Sequence, residues 1–303
     1  MLNKNLLLTG FAALLVAALA TTATLTSPQP LPFSIDKETG SSTDDSELLT
    51  SKVSLPLPYT SQIPDGRSVA PWSVACEEAS ITMVEQYYLG NRSRAIPRAE
   101  AKNSMLPLFR WEDGVFGFNH DTNAAQTARI INEYSSFKAT VTYSPTLEDI
   151  KQELRAGRPV ITLHDGRGLN NRYIKYSISS RGYHMIVLKG FDDTTQEFIT
   201  HDPGTSGTRG LDYRYSYDTI MNTLHDFNDT PAEPDYYPPV IFTAPKIFAR
   251  EIGTNGVYLI ENGMKRPIAH TGLFQKYRWN WKAVQKVNPG VLATIPDGAP
   301  VNE

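Results

Sequence analysis

One cysteine stands among 303 residues, at position 76. An intramolecular disulfide and a CxxC zinc or redox motif both need two cysteines, so neither can staple this chain. Its fold must rest on an apolar core. The surroundings of that cysteine narrow the choice further. It heads the run Cys76–Leu89, in which Ala79, Met83 and Tyr87 form one stripe with Val84 and Tyr88 beside it. That spacing predicts a helix with a buried face. Glu77 and Glu78 fall in its first turn, where carboxylates complement the helix dipole, and Gly90 is a stop signal. A lone cysteine is commonly a small buried hydrophobe. At a helix N-terminus, however, a thiol is also placed where its pKa is lowered and it becomes a nucleophile.

The N-terminus bears on why an unpaired thiol is kept. Lys4 precedes the apolar stretch Leu6–Ala20, broken only by Thr9 and Gly10, and Ala18-Leu19-Ala20 has the small-x-small form of a cleavage site. Residues 1–25 therefore read as a secretory signal. The alternative is a membrane anchor, since Thr21–Leu25 extends the run toward the roughly 20 residues of a span. Either way the body of the chain is expected outside the cytoplasm, where a free cysteine is a liability unless it has a use. Residues 26–54, rich in Ser, Thr, Pro, Asp and Glu, read as a flexible linker. The remaining stretch of about 250 residues suits one sizeable domain, 55–243, and a small C-terminal module, 244–303. A formal net charge of −3 gives no electrostatic basis for nucleic-acid binding, and there is no glycine-rich phosphate loop.

Along the ordered part, Leu55–Ile63 is expected to be extended, with Pro56 and Pro58 keeping it out of a central strand. Helices are predicted over Thr122–Tyr134 and over Thr146–Ala156, the latter capped by Thr146 and stopped by Gly157. Buried strands are predicted over Pro159–Leu163, Gly182–Gly190 and Glu197–His201, the last two joined by the turn-like Phe191-Asp-Asp-Thr-Thr195. A helix followed by strands defines an α+β class. Pro107–His120 and Asp165–Arg181 read as long loops suited to cleft walls. After Pro238-Pro239, Val257–Ile260 and Met264–Ile268 flank an Asn-Gly turn and predict a hairpin. Short helices are expected over His270–Tyr277 and Trp281–Val287, with Trp279 and Trp281 in the module's own core.

A nucleophilic thiol needs a base. Six histidines are available, and His184 stands out because the strand around it is otherwise almost wholly apolar. If the following turn is centred on Asp193, His184 opposes Asp202, Ile186 opposes Thr200 and Leu188 opposes Phe198. Directly opposed Cβ atoms lie ~4.5–5.5 Å apart, close enough for a carboxylate to orient an imidazole. A slip of one residue would oppose His184 to His201 instead. The side-chain amide of Gln62 and the backbone N–H of Cys76 can supply donors to a developing oxyanion.

The order Gln62, Cys76, His184, Asp202 resembles the C39-like cysteine peptidases of the papain superfamily. The likeness is carried by Leu57-Pro-Tyr-Thr-Ser-Gln62, Ala75-Cys-Glu-Glu-Ala-Ser-Ile-Thr-Met-Val-Glu-Gln-Tyr-Tyr88, Thr146–Val160, Gly182-Tyr-His-Met-Ile-Val-Leu-Lys-Gly-Phe-Asp192 and Ile199-Thr-His-Asp-Pro203. The resemblance implies a papain-like fold, with the nucleophile helix packed on an antiparallel sheet bearing His and Asp. It further implies amide hydrolysis through a thioester, with Cys76 as nucleophile, His184 as base, Asp202 as orienter and Gln62 as oxyanion donor. No metal or organic cofactor is required, and the substrate is a peptide or protein. Where many members carry Gly-Pro after the cysteine, this chain has Glu77-Glu78. Two carboxylates there oppose thiolate formation unless they face solvent. The segment Val257–Ile268 with Tyr277–Trp281 resembles a small module appended to extracytoplasmic bacterial hydrolases, which suggests contact with the cell envelope. Rival readings are a catalytically silent C39-like binding module, a transglutaminase-type acyl transferase and, third, a thiol redox sensor.

Overall fold

The structure, a computed structural model, describes residues 51–176, 182–227 and 237–302. The expected signal or anchor and nearly all of the expected linker lie outside these residues.

Strand β1 (Lys52–Ser54) is followed by an extended run that touches the rest of the fold at the Tyr59–Ala95 bridge. A 3₁₀ turn over Trp72–Val74 then delivers the chain into α1 (Cys76–Tyr88). Next come α2 (Arg98–Val115), α3 (Ala124–Tyr134), β2 (Phe137–Tyr143), α4 (Leu147–Arg155), β3 (Val160–Asp165) and the single turn α5 (Gly166–Leu169). Strands β4 (Tyr183–Asp192), β5 (Glu197–His201) and β6 (Tyr213–Ser216) lead to α6 (Tyr217–Thr223) and β7 (Pro239–Pro245). The chain continues through β8 (Ile247–Glu251), β9 (Tyr258–Glu261), β10 (Met264–Pro267), α7 (Gly272–Lys276) and β11 (Val284–Val287).

The fold is α+β. Its main sheet is antiparallel throughout, in the order β2-β7-β3-β4-β5-β6. Strand β4 is long enough to take two neighbours on one edge: β3 pairs with Tyr183–Leu188, and β1 pairs with Gly190–Asp192. The close approach of β1 demands a glycine at 190, where a Cβ would lie 2.2 Å from the Val53 carbonyl oxygen. A second sheet, β10-β9-β8-β11, has its own apolar cluster around Phe248, Leu259, Leu273, Phe274 and Trp279. Strand β7 runs through the boundary expected at residue 243, and β1 lies within the expected linker.

Helix α1 packs against β4. The apolar stripe predicts one buried face, yet every residue from Cys76 to Glu85 is buried. It is an interior helix, which is why its three glutamates need special partners. Helix α4 follows its prediction closely: Thr146 and Asp149 form a reciprocal capping box, and its apolar residues Ile150 and Leu154 are fully buried. Two predictions need correction. Pro107–Val115 is not loop but the second half of α2, which carries Pro107 inside it and buries Ala101, Ser104 and Met105 before the proline and Leu108, Phe109 and Glu112 after it. The loss of one backbone bond at proline is outweighed by packing on both sides. Likewise Trp281–Val287 is a 3₁₀ turn followed by β11, which pairs in parallel with β8. Trp279 is in the core, whereas Trp281 is 46 % exposed.

Candidate active site

Cys76 is the first residue of α1, so its backbone N–H has no intrahelical acceptor. His184 is the second residue of β4, and Asp202 directly follows β5. All three are buried. The backbone N–H of Met185, next to His184, opposes the rise that burial imposes on the Cys76 thiol's pKa.

His184 Nε2 and Asp202 Oδ1 are 2.7 Å apart. Their meeting was expected from direct opposition across the hairpin, but the register is different. Leu188 pairs with Thr200 and Val187 with His201, and a bulge at Lys189 shifts the pairing so that Phe191 faces Phe198. Asp192 pairs with Glu197, so the turn is centred between Thr194 and Thr195 rather than on Asp193, and His184 falls out of direct opposition to Asp202 or His201. The bulge moves the register back by one without restoring it. The carboxylate is instead delivered from just past the end of β5, where the chain turns back through Pro203 and Gly204. Gly204 fits against the imidazole so closely that a Cβ there would lie 2.9 Å from His184 Nε2.

Asp202 is held from several sides. Its Oδ2 accepts from Asn171 Nδ2 at 2.8 Å and from Tyr215 Oη at 2.6 Å, and its Oδ1 also accepts from the Gly204 N–H at 2.9 Å. Burial pushes this carboxyl up, but the His184 ring beside it and the bonds from His184, Tyr215 and Asn171 prevail and hold it below the ordinary aspartate value. Asn171 and Tyr215 were not anticipated from the sequence, because a loop asparagine and an edge-strand tyrosine carry no pattern of their own. His164, directly across β3 from His184, is a different kind of histidine. It is bonded to Thr162 and Thr223, and burial lowers its pKa to about 3.

Gln62 links the two arms of the site. Its backbone N–H donates to the Pro203 carbonyl at 2.9 Å, and its Nε2 donates to the Trp72 carbonyl at 3.2 Å, four residues ahead of the cysteine. One of the two amide hydrogens is thus committed, the second remains for a ligand, and Oε1 is buried without a partner.

The acidic pair after the cysteine does not face solvent. Glu77 and Glu78 are each 1 % exposed. Glu77 Oε2 accepts the Cys76 thiol hydrogen at 3.0 Å, and its Oε1 accepts from the Thr122 N–H at 2.8 Å. Among the described residues no hydrogen bond joins Cys76 to His184. Burial, then the charges of Glu77 and Asp121, push the thiol well above its ordinary pKa. Burial and Asp121 do the same to Glu77. Cys76 Sγ and carboxylate oxygens of Glu77 and Asp121 lie within 4.8 Å of one another. Both Glu77 oxygens are already engaged, so we assign no metal to this group. Glu78 contacts Glu112 of α2, carboxyl to carboxyl, and neither Glu112 oxygen has another partner among the described residues. Two buried carboxylates cannot both ionise there, and one shared proton satisfies both.

Beside the site lies a cavity of about 690 Å³. Pro71, Ser73 and Val74 form one wall, just before Cys76, and Leu106, Phe109 and Arg110 of α2 face them, with His120 at the edge. Pro107–His120 thus does contribute to a cleft wall, although more than half of it is helical.

A helix that presents a cysteine to an antiparallel sheet, whose strands supply a buried histidine–aspartate pair, defines a cysteine-peptidase-like domain. The comparison with known families agrees. The model of the Peptidase_C39 like family matches residues 54–228, more than half of the chain, and the chain belongs to that family. Among solved structures it resembles a Bacillus anthracis protein described as a candidate C39-like peptidase. The identity is 16 % and the TM-score 0.41, with 64 % of this chain and 98 % of that one covered. No curated protein matches.

Proposed function

We propose that this chain is an extracytoplasmic cysteine peptidase that hydrolyses peptide bonds through a thioester on Cys76. The observation that carries the reading is the His184–Asp202 pair. A charge-assisted bond of 2.7 Å is sealed from water and fixed by Asn171, Tyr215 and Gly204, on the strand that touches the nucleophile helix. A histidine that served packing alone would not need a buried carboxylate with three further donors.

The steps follow from the positions. Nε2 of His184 is committed to Asp202, which leaves Nδ1 to take the thiol proton. The thiolate attacks the peptide carbonyl carbon, and the oxyanion draws on the Cys76 backbone N–H and the free amide hydrogen of Gln62. The imidazolium then protonates the leaving amine, and water, deprotonated by the same ring, releases the acyl group. Asp202 stays ionised and keeps the ring oriented. The cavity formed by Pro71, Val74, Leu106 and Phe109 takes a substrate side chain close to the scissile bond, since Val74 is two residues, ~7 Å of chain at most, from the nucleophile.

The hydrogen bond from Cys76 to Glu77 favours a second reading, a silent binding module, because it keeps the sulfur protonated. Alkylation separates the two. Iodoacetamide should label Cys76 at a pH below the free-thiol value of ~8.5, and His184→Ala should abolish that labelling. Slow labelling that tracks an ordinary thiol titration and ignores His184 would support the silent module.

A further inference from the structure

Glu77 is a buried carboxyl that the thioester route leaves without a role. As a carboxylate it is an acceptor only, and with Oε2 3.0 Å from Cys76 Sγ it holds the hydrogen on sulfur. As a carboxylic acid in the same place it keeps the Thr122 N–H on Oε1 and becomes a donor toward sulfur, which favours the thiolate. The two forms act on the nucleophile in opposite directions.

We propose that Glu77 is a positioning residue for Cys76: ionised, it latches the thiol away from His184, and protonated, it releases it, so that the site is activated by acid. This rests on the peptidase reading above.

The groups that act most strongly on Glu77 are acidic or neutral, and the base close to its partner Cys76 is His184. Cys76 and Glu78 face it from α1, Glu112 of α2 lies behind Glu78, Asp121 and Thr122 come from the segment before α3, and Tyr183 comes from β4 with Asp226 beyond it. Among the described residues, no lysine or arginine stands among the strongest influences on it. Burial and the Asp121 charge therefore make it take up its proton at a higher pH than a surface glutamate. When it does, one proton enters from solvent and the S–H···O contact ends. The thiol hydrogen moves to His184 Nδ1, leaving a thiolate and an imidazolium. No electron is transferred.

The test is the rate of Cys76 alkylation by iodoacetamide across the pH range in wild type, Glu77→Gln and Asp121→Asn, each with and without His184→Ala. Glutamine retains an acceptor for Thr122 and an N–H for sulfur, and so imitates the protonated acid. The wild-type rate should fall as pH rises through the Glu77 titration. Glu77→Gln should lose that fall and react on the order of tenfold faster near neutrality, the effect of one unit in the sulfur's pKa. Asp121→Asn removes the nearest charge, so its fall should begin at lower pH. A Glu77→Gln rate equal to or below wild type at every pH overturns the latch. If that variant gives no cooperative melt, an unmoved limb in Asp121→Asn overturns it instead. Dependence on His184 without dependence on Glu77 removes the latch alone, whereas independence of His184 in every background removes the peptidase reading as well.

Discussion

Asp202 carries a negative charge with no solvent exposure, and its neighbours are arranged to keep that charge. Tyr215→Phe deletes one donor to Oδ2, an interaction with a charged group worth about 1.5–3 kcal/mol. Because the folded pKa of Asp202 is depressed, its ionised form is lost as pH falls through that value. Removing a donor moves the value up. The acid limb of the pH–rate profile should therefore shift to higher pH in Tyr215→Phe and in Asn171→Ala, with kcat reduced more than KM is raised. Gly204→Ala should act more directly, since its methyl group would press on the imidazole ring. Displacing a reacting group by about 1 Å costs on the order of a hundredfold, so activity should collapse while the melting temperature changes little. Three of the four residues proposed from the sequence stood out there: a lone cysteine, a polar residue in an apolar strand and an acid that the expected hairpin set opposite it. Gln62, an amide in a loop, was carried by the resemblance alone. Asn171 and Tyr215 did not stand out, because their importance exists only once the fold closes on Asp202.

Among the elements, the β4–β5 hairpin shows where sequence reasoning succeeds for the wrong reason. The strands and their partnership were legible from apolar runs flanking a turn, but composition did not fix the centre of that turn, which lies between Thr194 and Thr195 rather than on Asp193, so the expected register was off. Helix α2 was missed altogether, its second half being read as a loop from Pro107 onward, and only packing against α1 and α3 shows that the helix runs through the proline. This helix also brings Glu112 to Glu78. Burial, with Asp113 adding to it, raises Glu112 to about 7, and burial with Glu112 and Glu77 raises Glu78 well above the ordinary value. A folded pKa above the unfolded one gives stability that is complete below ~4.5 and is lost as pH rises through the folded value. Thermal unfolding should therefore show a lower midpoint at mildly alkaline than at mildly acidic pH, and Glu112→Gln should flatten that slope. A midpoint that climbs steadily with pH up to neutrality would contradict the shared-proton arrangement.

At the scale of the whole molecule, the second sheet is fastened to the first by charged side chains that reach across. Lys246 Nζ donates to the Ser135 carbonyl at 2.6 Å, and Lys138 pairs with Glu261 at 3.1 Å. Arg278 approaches Glu85 of α1 at 3.5 Å. Glu85 also accepts from the Ser136 N–H, and it is only 2 % exposed. Arg278→Ala leaves that buried charge, among the described residues, with only Lys246 as a nearby cation and should cost about 2 kcal/mol in urea unfolding. Adding Glu85→Gln should recover part of the loss. The Asn-Gly hairpin and the aromatic core of this part were legible in the sequence, but its attachment was not, because scattered charges on both surfaces reveal nothing of their pairing. We propose that this part serves as a small accessory module that contacts the cell envelope, distinct from the domain that carries the chemistry.

The central claim is that Cys76, His184 and Asp202 hydrolyse amide bonds. It is tested most directly by incubating the protein with a mixed peptide pool in ¹⁸O-water at mildly acidic pH and reading the products by mass spectrometry. The account predicts new C-termini carrying ¹⁸O with wild type and none with Cys76→Ala or His184→Ala. Products that join peptide amines without ¹⁸O would indicate acyl transfer instead. An unchanged pool, from a folded protein whose Cys76 alkylates only as an ordinary thiol, would contradict the account.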